Sequence, residues 1–118
     1  MSVTLANIAV DCTNAKSLAT FWAGVLSSDV DGEANEFFAT IKPATGPTLM
    51  FLQVPEPRNG KNRLHLDLAT ADWSAEVDRL VDLGAKRLEE HNEYGTHWIT
   101  LADPEGNVFD LADHPQGA

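Results

Sequence analysis

Apolar and polar residues alternate in two stretches set a fixed distance apart. Over residues 5–12, Ile8, Val10 and Cys12 fall on one face and Asn7, Ala9 and Asp11 on the other. Over residues 64–69, Leu64, Leu66 and Leu68 alternate with His65, Asp67 and Ala69. A period of two marks a half-buried strand. After each strand the period becomes helical. One stripe is Leu18, Phe21, Trp22, Val25 and Leu26, the other Trp73, Val77, Leu80 and Val81, and each gives a helix one apolar face. Thr13 or Asn14 precedes the first stripe and Asp72 the second, in the position of an N-cap. Gly84 follows the second helix, where positive φ is needed.

The remaining segments predict further strands. Residues 37–42 and 48–54 read as strands around a turn at 43–47, and residues 27–35 as a polar loop. Residues 54–62 are rich in Pro, Gly and Asn and form a connector. Residues 86–90 predict a short strand, and residues 97–102 and 107–111 two more around Asp103-Pro104-Glu105-Gly106. Pro and Gly suit that segment to a hairpin turn.

The two halves superpose at a constant offset of 58 residues: Ile8-Ala9-Val10 falls on Leu66-Asp67-Leu68, and Asn14 on Asp72. At the same offset Met50-Phe51-Leu52 falls on Val108-Phe109-Asp110, and Pro57 on Pro115. Such a period signals two copies of one supersecondary unit. The expectation is one domain over residues 1–118, with module one over about 1–57 and module two over about 58–118. A ligand site between the copies is expected.

Composition narrows the function classes. A chain of 118 residues with 43% hydrophobic content suits one modest core. Eighteen acidic against eight basic residues give a net charge of −10, which repels nucleic acid and anionic lipid. No apolar run approaches the ~18 residues of a membrane span. The N-terminus lacks the basic flank and apolar core of a signal peptide, so a cytoplasmic location is expected. The single cysteine, Cys12, excludes an internal disulfide framework, and its place on the apolar face predicts a core residue. No glycine-rich phosphate loop, Ser/His/Asp constellation or CxxC pair occurs.

Three motifs carry a family resemblance. They are Phe21-Trp22-Ala23 with Leu26, Lys61-Asn62-Arg63-Leu64-His65-Leu66-Asp67, and Asp103-Pro104-Glu105-Gly106-Asn107 with Phe109. With them the chain resembles the glyoxalase-like, bleomycin-resistance-like branch of the vicinal oxygen chelate superfamily. The resemblance implies an α+β fold: two tandem βαβββ modules forming a curled, mixed eight-stranded cup with helices outside. It also implies a ligand place on the first and last strand of each module. By strand position these places fall at Asn7, Leu52, His65 and Asp110, with Gln53 as the alternative to Leu52.

The residue types then decide the chemistry. His65 and Asp110 are metal-ligand types, Asn7 is a weak one, and Leu52 cannot coordinate. Asp67 is two residues from His65, roughly 6.5 Å at strand rise, which argues against it as a substitute. The set favours no cofactor, and a divalent metal held by His65 and Asp110 is the alternative. His65 facing Asp110 also suits a catalytic acid–base pair. Trp98 and Thr100 share a face and, with Asn7, Leu52 and Tyr94, are expected to line the ligand site.

The function expected is binding of a small organic molecule, of a sequestration or resistance type. The alternatives are a metal-dependent lyase, isomerase or dioxygenase, and a metal-free acid–base enzyme using His65 and Asp110. The resemblance also implies a homodimer, since members of the family often dimerise, which can bury sheet edges that would otherwise invite pairing.

Overall fold

The structure is a computed structural model that describes residues 3–93 and 95–113. The chain divides into two compact units, residues 1–59 and 60–118. Both are mixed α+β, each with one helix and one sheet.

The first unit runs β1 (Asn7–Cys12), α1 (Ala15–Val25), β2 (Phe38–Ile41) and β3 (Thr48–Gln53). Its sheet has the order β1-β3-β2, with β1 parallel and β2 antiparallel to β3. Asn14 caps α1, its side chain accepting from the Ser17 amide at 3.0 Å, which satisfies one of the open amides of the first turn. The α1 stripe buries Leu18, Phe21, Trp22 and Val25. The helix lies against β2 and β3, whose inward residues Ala39, Ile41, Leu49 and Phe51 are also buried. Each large side chain so buried contributes about 1.5–3 kcal/mol before entropy. Ser27, just beyond the helix, adopts a left-handed conformation with φ of 51°.

The loop expected at 27–35 holds one antiparallel bridge, Val30 to Ile41, at the outer edge of β2. Asp31 beside it accepts from the Lys42 ammonium at 2.6 Å and from the Thr40 hydroxyl. The Lys42 hydrogen bond, then that of Thr40, holds the Asp31 carboxyl below its ordinary value. The described residues therefore carry seven strands plus this bridge, where eight strands are expected.

The second unit runs β4 (Asp67–Thr70), α2 (Trp73–Leu83), β5 (Lys86–Glu93), β6 (Thr96–Ala102) and β7 (Val108–Asp113). Its order is β4-β7-β6-β5, with β4 parallel to β7 and the other pairs antiparallel. Ile99, Leu101, Phe109 and Leu111 form the buried face, with Val77 and Leu80 of α2. Gly84 ends α2 at φ 126°, a conformation that needs glycine.

Two side chains fix the start of β7. Asp103 is buried, and its carboxylate accepts from the amides of Glu105 at 2.9 Å and Asn107 at 3.0 Å. The recognisable Asp-Pro-Glu-Gly segment is thus a self-bonded turn. Asn62 donates to the carbonyl of Val108 at 3.1 Å and accepts from its amide at 3.4 Å, stitching the segment before β4 to the start of β7.

Some boundaries differ from expectation. β4 begins at Asp67 rather than at residue 64, and Leu64 is 70% exposed. The ladder still continues outward, since the Asp110 amide donates to the Leu66 carbonyl at 3.0 Å. β5 extends to Glu93, with an irregularity between Arg87 and Glu90. Trp73, expected in the core, is only half-buried and donates its indole N–H to the Leu111 carbonyl at 3.0 Å.

Candidate functional site

In the second unit the face away from the buried core collects polar and aromatic side chains in two rows. The register places Thr100 opposite Asp110 and Asp110 opposite Asp67. The next row is His91, Trp98, Ala112 and Ala69. Rows two residues apart along a strand are roughly 6.5–7 Å apart.

The first row is joined by side-chain contacts. The Thr100 hydroxyl donates to Asp110 Oδ1 at 2.6 Å, which fixes the carboxylate's orientation. Its other oxygen, Oδ2, lies 3.8 Å from His65 Nδ1, too far for a hydrogen bond. His65 Nδ1 instead meets Asp67 Oδ1 at 2.9 Å. The His65 side chain is 49% exposed and that of Asp110 24%. Among the described residues neither Asp67 nor Asp110 pairs with a lysine or arginine.

The contact with Asp67 corrects the expectation that this residue is too distant to join His65. Backbone rise alone overestimates the separation, because His65 precedes the strand and both side chains reach across the gap. One ligand atom from each of His65, Asp67 and Asp110 lies within 4.8 Å of the others. An imidazole nitrogen and carboxylate oxygens are donors that suit first-row divalent ions, so this set fits such an ion.

The second row is two stacked rings and two small side chains. The rings of His91 and Trp98 stack with centroids 4.8 Å apart and planes at 21°. Beside Trp98 the row continues with two alanines, Ala112 and Ala69, whose small side chains leave a shallow floor. On the buried side of the same sheet, His97 packs on Trp73 at 4.1 Å and meets Glu90 Oε2 at 2.8 Å. His97 therefore belongs to the helix-facing layer.

The first unit changes the expected correspondence. Asn7 pairs with Thr48, whereas Leu52 pairs with Asp11 and Phe38. Ala9, which matches Asp67 at the offset of the helices, pairs with Met50, and Met50 with Thr40. Strand for strand, Asp110 thus corresponds to Met50 rather than Leu52, and Thr100 to Thr40. The offset grows from 58 (Ala9 to Asp67) to 60 (Met50 to Asp110) between helix and last strand. Gln53 donates its amide to the Thr13 carbonyl at 3.0 Å. Neither Met50 nor Ala9 offers a hard donor. Tyr94 lies outside the described residues.

Sequence reasoning passed over Asp67 as a partner of His65, although their alternation put both on one face. It did not pair His91 with Trp98, which depends on the β5–β6 register.

The family model for the glyoxalase-like domain matches residues 7–112. No curated protein matches the chain. Among solved structures, a glyoxalase/bleomycin resistance protein/dioxygenase family enzyme from Burkholderia phytofirmans PsJN superposes with a TM-score of 0.75 at 17% identity, covering 94% of this chain and 98% of that one. The fosfomycin resistance protein FosX from Mesorhizobium loti gives a TM-score of 0.75 at 14% identity, covering 97% and 94%. A mutant FosX from Listeria monocytogenes, complexed with Mn(II) and 1S,2S-dihydroxypropylphosphonic acid, gives 0.76 at 14% identity, covering 100% and 93%. At these identities the likeness is one of fold.

Proposed function

We propose a function from one premise: this chain belongs to the glyoxalase-like domain family, within the vicinal oxygen chelate superfamily. In this proposal the chain is a cytoplasmic homodimer that binds a small organic molecule on the open face of the second sheet. A planar ring rests against Trp98 and over the floor of Ala112 and Ala69. A polar group of the same molecule reaches the row of His65, Asp110 and Thr100. The observation that carries the reading is the adjacency of these rows, one hydrogen-bonded and one stacked, on a single face. A site with an apolar wall and a few oriented polar groups is the usual form of a small-molecule site.

A second reading rests on the 2.9 Å contact of His65 with Asp67. A carboxylate on Nδ1 orients the imidazole and leaves Nε2 to exchange a proton with a bound molecule. This reading makes the protein an acid–base enzyme. A divalent ion on the same residues would instead polarise an oxygen of the ligand.

Fluorescence titration with planar aromatic compounds bearing a hydroxyl or amine tests the proposal. Saturable binding is expected for the native chain, lost in Trp98→Ala and weakened roughly tenfold or more in His65→Ala, the loss of a charge-assisted contact costing about 1.5–3 kcal/mol. Equal binding by both folded variants would refute it.

A further inference from the structure

We infer that His65, Asp67 and Asp110 form a divalent-cation site contained wholly in the second unit, with Asp67 as its third protein ligand. The inference rests on the proposed ligand site and gives it a metal. It departs from the arrangement the family resemblance implies, in which each module supplies ligands from its first and last strands.

Residue chemistry drives the departure. In the first unit the corresponding strand positions are Asn7 and Met50, an amide and a thioether. Neither is a strong ligand for a hard or borderline divalent ion. The second unit holds three strong ligands by itself, with donor atoms all within 4.8 Å. Two ligands bonded at about 2.1 Å to one ion lie roughly 3.0–3.5 Å apart for octahedral or tetrahedral angles. The separations of His65 Nδ1 from Asp67 Oδ1, 2.9 Å, and from Asp110 Oδ2, 3.8 Å, straddle that range.

Charge and orientation point the same way. Two carboxylates converge without a lysine or arginine partner among the described residues, so a cation there meets no competing positive side chain. Thr100 ties one oxygen of Asp110 and leaves the other toward His65, the outer hydrogen bond that commonly orients a carboxylate ligand. Three protein ligands leave coordination places for a bound molecule's oxygen. With Nδ1 and the Asp67 carboxylate both turned to the ion, the hydrogen bond between them that the acid–base reading needs is gone, so the inference excludes that reading.

The test is Mn(II) titration of the chelator-stripped full chain, following the electron paramagnetic resonance signal of free Mn(II) with no organic ligand present. One ion per chain is expected to be taken up. Asp67→Asn, checked for folding by circular dichroism, is expected to weaken uptake roughly tenfold or more, since loss even of an outer-shell partner costs 10–100-fold. Asp67→Glu restores it in part, and Asn7→Ala leaves it unchanged. The inference is overturned if the native chain takes up no ion. It is also overturned if Asp67→Asn binds as the native chain does, or if Asn7→Ala loses as much as Asp67→Asn. None of these results touches the aromatic shelf: Trp98→Ala removes organic-ligand binding and leaves Mn(II) uptake intact.

Discussion

Single residues show how local chemistry sets the frame. Ser27 holds φ at 51° after α1, where a side chain is disfavoured and glycine is not. Ser27→Gly is expected to raise stability by about 0.5–1 kcal/mol, read as a higher urea midpoint with an unchanged slope. Asp103 uses its buried carboxylate to hold the amides of Glu105 and Asn107. Asp103→Ala strands those groups and is expected to cost about 1–3 kcal/mol, measured in the same way. Asp31 has a folded pKa below its ordinary value of 3.8, because Lys42 and Thr40 bond its charged form. The unfolded chain therefore takes up this proton first as pH falls. The stabilisation is present above pH 3.8 and disappears as pH drops through the folded value. Asp31→Asn is expected to flatten the pH dependence of the urea midpoint below pH 4, and an unchanged profile would remove Asp31 from the acid response.

Elements were legible where their pattern was strong. The stripes Leu18/Phe21/Trp22/Val25 and Trp73/Val77/Leu80 gave both helices, and Asn14 and Asp72 sit at their starts. Strand ends were harder. Leu64 continues the alternation, yet it is exposed and β4 starts at Asp67. Alternation records a face without recording where pairing stops. The misplacement of Leu52 has the same root. A one-residue slip turns a strand's apolar set to the wrong face, but a two-residue slip leaves every residue on its own. Phe51 and Leu49 are both buried, so either could answer to Phe109 in the pattern. Only hydrogen-bond register separates Met50 from Leu52. The segment carrying His65 depends on Asn62, which bonds both the amide and the carbonyl of Val108. Asn62→Ala is expected to speed hydrogen exchange at the Val108 amide. Unaltered protection would mean that another contact anchors the segment.

At the scale of the whole molecule, the repeat and the three motifs were enough to indicate the family, which the match over residues 7–112 shows. The two units share one plan while diverging in chemistry. The row Asp67, Asp110 and Thr100 of the second unit corresponds to Ala9, Met50 and Thr40 in the first. A conserved plan needs only matched apolar faces, which tolerate many residue types; a site needs particular atoms at particular separations. The side-chain contact of His65 with Asp67 was therefore hidden, since it arises just before the chain enters β4. A net charge of −10 argues against nucleic acid and anionic lipid as partners, and among the described residues no helix is long and apolar enough to cross a membrane.

In the proposed function the open face of the second sheet receives the ligand. Amide and indole chemical-shift mapping by nuclear magnetic resonance, during titration with a compound that binds in the fluorescence assay, tests it most directly. The largest shifts are expected at the Trp98 indole and at the amides of Thr100, Asp110 and Ala112. Shifts confined to the first unit, with the Trp98 indole unmoved at saturation, would contradict it.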